Sequence, residues 1–387
     1  MLVVAPAPSR STQPASRVGR ARDAAERLSG RLEQDGFSGW DPYDALSSPL
    51  LHAVSRSPLL RRTAIQSLKR SPLNVRPLLA VPKRRHTKAL ALLTSAYLQL
   101  DRRDLAFRLR DQLLAAALPG AGWGYEFDVQ TRWGYYRARQ PNAVVTAFAA
   151  HALLDTLDLE ASEDTRTAVD EALEFVERDL LVQVGEEAFF AYFAGGDVPI
   201  HNSNLLVASL FARAGTAAQR DVARRAVQYT VERQRSDGTW PYGERPGLEW
   251  VDGFHTAYVL ERLVQWNDAQ PEPTLATAIE RGTDAYVQRL VDPDGAPRST
   301  IQRRFPIDVH AAASAITALC RLQEFHARAR ETADAVLDWT LANMVRADGR
   351  FSFQRHRSWT NRTAYVRWSD AHMLLALANY LDAAEGT

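Results

Sequence analysis

The chain has 387 residues, of which 46% are hydrophobic and 24% charged, and its formal net charge is +1. This composition is typical of a globular protein with a large core, and the balanced charge excludes the broad cationic field of a nucleic-acid-binding protein. Cys320 is the only cysteine, which excludes an internal disulfide and a multi-cysteine zinc site and favours a reducing, cytoplasmic location.

The N-terminal segment, residues 1–17, is rich in proline, serine and arginine, and we expect it to be a disordered lead-in. Its apolar patch before Pro6 is too short for the core of a signal peptide, and no apolar run along the chain is long enough to span a membrane. We expect residues 18–387 to form a single domain. The segments 18–34 and 41–55 are predicted to form either an extra helix pair or a cover.

Helical patterns of two kinds alternate along the rest of the chain. Patterns such as "EDTRTAVDEALEFVERDL" carry charge on one side, as an outer helix would, whereas "NAVVTAFAAHALLDTL" is apolar on most faces, as a buried inner helix would be. We expect the first outer helix near residues 59–70. The inner helices are predicted to start at His86, Asn142, His201, Asp252, Asp308 and Arg367, which are 56, 59, 51, 56 and 59 residues apart.

An aromatic loop precedes most of these starts. "GWGYEF", "GTWPYG" and "GRFSFQ" each place aromatic residues two apart, and Asp-Gly turns precede the second and third. A repeat of this length over most of a chain indicates an array of supersecondary units. Six outer–inner pairs predict an all-α fold, an (α/α)6 toroid, in which all inner-helix N-termini gather at one mouth.

The mouth is therefore the predicted binding site. Its histidines are His86, His201, His255, His310 and His372, accompanied by Asp252, Asp308, Asp370, Asn142 and Asn202. Aspartate and asparagine at a helix start also serve as caps, so each has a structural alternative. Histidine is not needed for capping, and a ring of imidazoles favours ligand contact or proton transfer.

The aromatic residues of the loops have two interpretations. They either plug the mouth as a small core or form a floor on which sugars or carbocations bind. The set comprises Trp123, Tyr125, Trp133, Trp240, Tyr242, Trp250 and Trp368. We expect Trp123, Trp240, His255 and Trp368 to line one pocket together.

Several groups suit catalysis. Asp252 and His255 are three apart on one helix, so His255 is the predicted proton-transfer residue and Asp252 its partner. His372 could oppose His255 across a sugar carbon, with Asp370 nearby. Loop carboxylates, Glu126, Asp128, Glu244 and Glu249, could instead form a pair for glycosyl transfer. Arg137 and Arg367 are candidate ligands for a uronate or phosphate group. The basic run Lys83, Arg84, Arg85, His86 and Lys88 is another candidate, although such a run is more typical of a solvated face.

Two resemblances concern isoprenoid enzymes. "RAVQYTVERQRSDGTW" resembles the QW repeat of terpenoid cyclases, in which Gln234 and Trp240 would tie an outer helix to the next loop. Protein prenyltransferases share the toroid. However, the chain has neither the Asp-x-Asp-Asp acid of cyclases nor an Asp/Cys/His zinc site, so this resemblance implies the fold more than the chemistry.

Two further resemblances imply a glycan context. "RTAYVRWSDAHMLLALANYL" is similar to the last helix of N-acylglucosamine 2-epimerase-type (α/α)6 barrels. "GWDPYDALSSPLL" and "VDGFHTAYVL" resemble an uncharacterised prokaryotic family encoded with exopolysaccharide biosynthesis genes. We therefore expect a sugar-active epimerase, hydrolase or lyase. The alternatives are an isoprenoid-handling toroid and a non-catalytic glycan-binding scaffold. No metal, cofactor or nucleic-acid partner is expected. Membrane-associated glycan-assembly machinery is a possible partner.

Overall fold

The computed structural model describes residues 16–54 and 56–385. Within them the chain forms fourteen α-helices. In chain order these are α1 (Arg17–Gln34), α2 (Pro49–Val54), α3 (Pro58–Arg70), α4 (Thr87–Gln99), α5 (Arg103–Ala116), α6 (Ala143–Leu157), α7 (Glu163–Phe175), α8 (His201–Ala214), α9 (Ala217–Glu232), α10 (Gly253–Ala269), α11 (Pro273–Arg289), α12 (Val309–Arg321), α13 (Ala329–Met344) and α14 (His372–Glu385).

Six of these helices form a closed inner ring. Helices α4, α6, α8, α10, α12 and α14 each pack against the next, and α14 returns to α4. Their sequences explain the position. In α6, for example, 13 of the 15 residues are buried, because neighbouring inner helices and an outer helix cover nearly the whole circumference. The predicted (α/α)6 toroid is thus confirmed.

The predicted inner-helix starts agree closely with the structure. His86, Asn142, Asp252 and Asp308 are the residues immediately before their helices, and α8 begins at His201. The last inner helix differs, because a π-helical turn, Val366–Ala371, precedes α14. Such turns are frequent at functional sites, and this one carries Arg367 and Trp368 into the mouth.

The outer ring corrects one expectation. Helices α5, α7, α9, α11 and α13 lie outside the inner ring, and the sixth outer helix is α1, which packs against α14 and α13. The predicted first outer helix near 59–70 is α3, which buries only Ile65 and Leu68. Helix α1 fits the outer position because its alanines and leucines form one buried stripe, and it joins the two ends of the chain.

Residues 40–54 and 56–81, including α2 and α3, form a cover over the mouth. The cover has its own small core of Ala45, Leu46, Ile65, Leu68 and Val81. Helix α3 packs against the loop before α6, and the Tyr43 ring meets the Trp368 ring edge-on at 5.6 Å. Of the two alternatives for segment 41–55, the structure therefore shows the cover.

The loops contain seven very short strands, all antiparallel. They are β1 (Val129–Gln130), β2 (Tyr135–Tyr136), β3 (Leu181–Val184), β4 (Glu187–Phe190), β5 (Ile307–Asp308), β6 (Gln354–Arg355) and β7 (Thr360–Asn361), counted over the described part of the chain. The Asp-Gly turns share one backbone conformation, since φ is 80° at Gly238, 83° at Gly295 and 80° at Gly349. Glycine adopts this left-handed conformation without a steric penalty.

The predicted lead-in, residues 1–17, lies outside the described residues except for its last two. The Ser16 hydroxyl accepts a hydrogen bond from the Gly19 amide and caps α1, which begins at Arg17. Among the described residues, no helix combines the length and hydrophobicity needed to cross a lipid bilayer.

Candidate active site at the inner-helix mouth

The five histidines of the mouth fall into two groups. His86 and His201 each contact a loop glutamate: His86 Nδ1 is 3.2 Å from Glu126 and His201 Nε2 is 2.8 Å from Glu244. His255, His310 and His372 instead form a continuous aromatic cluster with Phe254 and Tyr258. This cluster is the candidate active site.

His310 and His372 face each other at its centre. Their ring centroids are 3.9 Å apart, and both side chains are buried. The Tyr258 hydroxyl is 2.7 Å from His310 Nε2 and 3.4 Å from His372 Nε2, so it contacts both rings. His372 therefore opposes His310. The sequence had suggested that it would oppose His255.

Both central histidines favour the neutral state. Burial holds the pKa of His310 well below its ordinary value, and His372 and Lys88 lower it further. Burial also lowers the pKa of His372, with Lys88 and Arg367 acting in the same direction. Burial raises the pKa of the Tyr258 phenol, so the hydroxyl stays protonated. Two neutral bases and one hydroxyl thus lie in contact.

The Asp252–His255 pair lies beside this centre. Asp252 caps α10 through the His255 amide at 3.0 Å, and its second oxygen is 2.7 Å from His255 Nδ1 and accepts from Trp250 Nε1 at 2.9 Å. Burial opposes ionisation of Asp252, but the charge of His255 and these hydrogen bonds prevail and lower its pKa. Asp252 is therefore both a helix cap and a charged partner.

Aromatic rings connect the Asp252–His255 pair to the central histidines and cover both. Tyr242 stacks on Trp250 with centroids 4.6 Å apart and lies 4.3 Å from the His255 ring. Phe254 lies between His255 and His310, with its centroid 3.9 and 4.7 Å from theirs. The cavity beside the Asp252–His255 pair has a volume of about 10 Å³. It is lined by His201, Asn202, Trp240, Tyr242, Trp250, Asp252 and His255, among others. A space of this size holds one water, so a sugar needs the covering segments to move.

The π-helical turn completes the mouth. Trp368 lies 4.5 Å from the His310 ring, and its Nε1 donates to Asp308 at 2.9 Å. Asp308 also accepts from Gln354 and from the His310 amide, and burial raises its pKa. Arg367 donates two hydrogen bonds to Asp41 of the cover, at 2.6 and 2.8 Å. Its charge is therefore already compensated.

Four residues predicted at the site have structural contacts instead. Trp123 and Trp240 are buried in the core, where their indole N–H groups donate to the Leu113 and Thr230 carbonyls, each ten residues earlier. Trp240 still borders the small cavity, but Trp123 does not. Asp370 is buried against Arg350 at 2.7 Å, and Asn142 caps α6 through the Val145 amide. Of the four residues predicted to line one pocket, only Trp240 and His255 border this cavity, and Trp123 and Trp368 do not.

The remaining predicted residues lie around the cluster. Glu126 caps α4 by accepting from the Thr87 amide at 2.8 Å, and Tyr125 lies under the Arg367 guanidinium with its centroid 5.1 Å away. Asp128 accepts hydrogen bonds from the Tyr135 hydroxyl and the Ala138 amide. Trp133 and Arg137 are exposed at the periphery.

Two residues of the cluster, Tyr258 and Phe254, were missed from the sequence. Tyr258 lies three residues after His255 on the same face of α10, which is a spacing that could have identified it. Lys88 and Phe254 each lie two residues after a helix cap, at the same repeat position as His310. That equivalence was an available signal for Phe254. It also marks Lys88, which the sequence offered either as an anion-binding residue or as part of a solvated face, and which is buried.

The fold and the ringed mouth place the chain in the structural class of (α/α)6 toroids. No protein-family profile matches its sequence, and no curated protein matches it. Within residues 16–54 and 56–385, no group of three or more acidic, histidine or cysteine side chains is arranged to hold a metal ion.

Three solved toroids illustrate the structural similarity. A cellobiose 2-epimerase from Bacillus thermoamylovorans has a TM-score of 0.59 and 10% identity, covering 76% of this chain and 86% of the epimerase. An unsaturated glucuronyl hydrolase specific for heparin has a TM-score of 0.63 and 13% identity, covering 95% of this chain and 98% of the hydrolase. A polysaccharide lyase has a TM-score of 0.63 and 9% identity, covering 96% and 99%. At these identities the similarity concerns the fold.

Proposed function

We propose that this protein is a sugar-active enzyme that moves a proton at a sugar carbon, using His310 and His372. The observation that carries the proposal is the pair of buried, neutral imidazoles that share contact with the Tyr258 hydroxyl. The structural neighbours, which include an epimerase, a glucuronyl hydrolase and a polysaccharide lyase, support a carbohydrate substrate. Their fold alone is an argument by analogy.

The reaction follows from the proton balance. One neutral imidazole takes the proton from a carbon next to a carbonyl group and becomes an imidazolium. Return of the proton to the opposite face requires the carbon to lie between the two rings, so the rings must separate from their 3.9 Å contact when the sugar binds. The proton then passes through Tyr258 to the second imidazole, which delivers it to the opposite face of the carbon. The configuration at that carbon is inverted and both histidines end neutral. An epimerisation is therefore the reaction that this geometry supports best.

Hydrolysis is less well supported because it needs two available carboxyl groups. Asp252 is paired with His255, and Asp308 accepts hydrogen bonds from Trp368 and Gln354. Glu126 is used in capping α4. The isoprenoid alternative has only the QW-like contacts: Gln234 donates to the Gly238 and Ala278 carbonyls, which is a structural role.

The test is deuterium exchange in D₂O followed by NMR. D-glucose, N-acetylglucosamine and cellobiose are incubated with the protein, and we expect exchange at C2 of at least one of them. His310→Gln and His372→Gln should lower that exchange about 100-fold. His326→Gln is the matched control, since His326 lies outside the mouth near Asp284. Binding of these sugars without exchange would support the glycan-binding scaffold instead.

We also propose a cytoplasmic membrane surface as the working location, in keeping with the exopolysaccharide context that the sequence resemblance implies. From residue 45 to residue 100 the chain has no acidic residue. It has ten basic ones, of which Arg76 and Lys88 are buried. The eight that are exposed or half-buried are Arg56, Arg61, Arg62, Lys69, Arg70, Lys83, Arg84 and Arg85. The same segment exposes Leu50, Leu59, Leu60, Leu73 and Leu78. Exposed leucines among cationic residues suit an anionic lipid surface.

Vesicle sedimentation tests this location. We expect the full chain to bind vesicles that contain phosphatidylglycerol and to remain unbound with phosphatidylcholine alone. The double substitution Leu59→Ser and Leu60→Ser should lower binding at least fivefold, because these leucines are 70% and 50% exposed. Leu159→Ser is the control, since Leu159 is 50% exposed outside the cover. Equal binding by all three proteins would contradict the proposal.

A further inference from the structure

We infer that Lys88 binds a carboxylate of the sugar, so that the substrate is a uronic acid or carries a uronate at the reacting end. The inference rests on the proposed function, because Lys88 contacts the Tyr258 ring and the Tyr258 hydroxyl contacts both His310 and His372. It names the substrate class for that site.

The position of Lys88 carries the argument. It is the second residue of α4 and is 4% exposed. Its ammonium lies 4.1 Å from the Phe148 ring centroid and 5.3 Å from that of Tyr258, the residue that contacts both central histidines. With the described residues it forms only these ring contacts, and no acceptor or carboxylate is within hydrogen-bond or ion-pair distance.

Other buried cations of the chain differ in this respect. Arg76 is paired with Asp44 at 2.8 Å, Arg350 with Asp370 at 2.6 Å and Arg367 with Asp41 at 2.6 Å. Arg262 is likewise paired with Glu261 at 2.9 Å. A buried charge without a partner is costly, and cation–π contacts recover only a small part of that cost. Lys88 is therefore a buried cation that lacks an anionic partner among the described residues.

Protonation supports the same conclusion. Burial lowers the pKa of Lys88 well below its ordinary value, and the positive charge of Arg367 lowers it further. Asp41 and Glu261 offset these effects only in part, without contacting the ammonium, and an anionic ligand group would supply a counter-charge in direct contact.

A carboxylate suits this position better than a phosphate. One ammonium provides a single compact charge, which matches a monoanion. A phosphate dianion is generally bound by several N–H donors or by a guanidinium, and the guanidinium of Arg367, whose charge acts on Lys88, is already committed to Asp41. The neutral hexose, the uronate and the hexose phosphate are therefore the three probes that separate the alternatives.

The experiment measures binding by calorimetry with D-glucose, D-glucuronate and D-glucose 6-phosphate. We expect the wild type to bind D-glucuronate at least tenfold more tightly than either of the others. Lys88→Met keeps the length of the side chain and removes the charge, and should bring the preference close to onefold. Lys83→Met, at an exposed lysine of the same basic run, is the matched control and should keep the preference.

The outcomes are distinct. Lys88→Met should unfold at the same or a higher temperature than the wild type, because an apolar side chain replaces an unpaired buried ammonium. Equal affinity of the wild type for glucose and glucuronate would overturn the inference, as would a glucuronate preference that survives in Lys88→Met. Tighter binding of glucose 6-phosphate would also overturn it, in favour of a phosphate site. C2 exchange on neutral sugars would still be measured independently, so the proposed function can stand if this inference fails.

Discussion

Asp41 and Arg367 form a buried ion pair although they are 326 residues apart in the chain. Asp41 belongs to the cover and Arg367 to the π-helical turn before the last inner helix, and their side chains are 0% and 4% exposed. Burial opposes ionisation of Asp41, but the charge of Arg367 prevails and lowers the pKa of the carboxyl. The pair therefore joins the cover to the π-helical turn that precedes the last inner helix.

Breaking this pair should destabilise the protein strongly. Asp41→Asn leaves the Arg367 guanidinium buried without a counter-charge, and we expect a loss of about 3–5 kcal/mol of unfolding free energy in chemical denaturation. The double substitution Asp41→Leu and Arg367→Met should recover most of it, since an apolar pair removes both charges. Asp101→Asn, in the exposed pair with Arg103, is the control and should have little effect. A fully stable Asp41→Asn variant would show that the cover is held by other contacts.

Asp252 should be needed for turnover and not for folding. Asparagine caps helices as well as aspartate does, so Asp252→Asn should unfold within a few degrees of the wild type. It removes the charge beside His255, and we expect deuterium exchange at the sugar carbon to fall by roughly 10- to 100-fold. Ser162→Ala removes the cap of outer helix α7 and should do the reverse, lowering stability by about 1 kcal/mol while leaving exchange intact. Unchanged exchange in Asp252→Asn would assign Asp252 to capping alone.

The unfolding free energy should decline as the pH falls below about 6.5, the pKa of an ordinary histidine. The pKa values of His310 and His372 lie below the unfolded value of about 6.5, so only the unfolded chain takes up protons just below that pH. Each such histidine lowers the unfolding free energy by up to about 1.4 kcal/mol per pH unit, from about pH 6.5 down to its folded pKa. His372→Gln should reduce this slope, measured by urea unfolding between pH 7 and pH 5. The exposed His52, changed to Gln, is the control, and equal slopes in both variants would contradict the assignment.

Substitution should distinguish Trp123, which is buried in the core, from Trp368, which lies beside His310. Trp123→Phe leaves the buried Leu113 carbonyl without its donor and should lower the unfolding free energy by about 1–3 kcal/mol, with sugar affinity unchanged. Trp368→Phe removes the hydrogen bond to Asp308 beside His310 and should weaken sugar binding several-fold. Urea unfolding and calorimetry measure the two effects. Equal effects of both substitutions on affinity would place Trp123 at the site after all.

The sequence by itself determined the ring and its mouth. Inner helices are apolar on nearly every face and outer helices on one, so their alternation could be read from the hydrophobic pattern, and three of the six starts, at Asn142, Asp252 and Asp308, are residues whose side chains cap the helix. The spacing of Asp252 and His255 also predicted their contact, because three residues on a helix bring two side chains together. These are short-range effects, which depend on neighbours in the chain.

Only the tertiary structure decided which mouth residues meet. It made α1 the sixth outer helix, placed the cover on Trp368, and paired His310 with His372 instead of His255 with His372. It also buried Trp123 and Lys88, one with a hydrogen-bond partner and the other with ring contacts only. Such contacts depend on the relative rotation of helices about 50 or more residues apart, and local sequence patterns do not specify that rotation. The chemistry of the mouth is therefore set by how the ring closes.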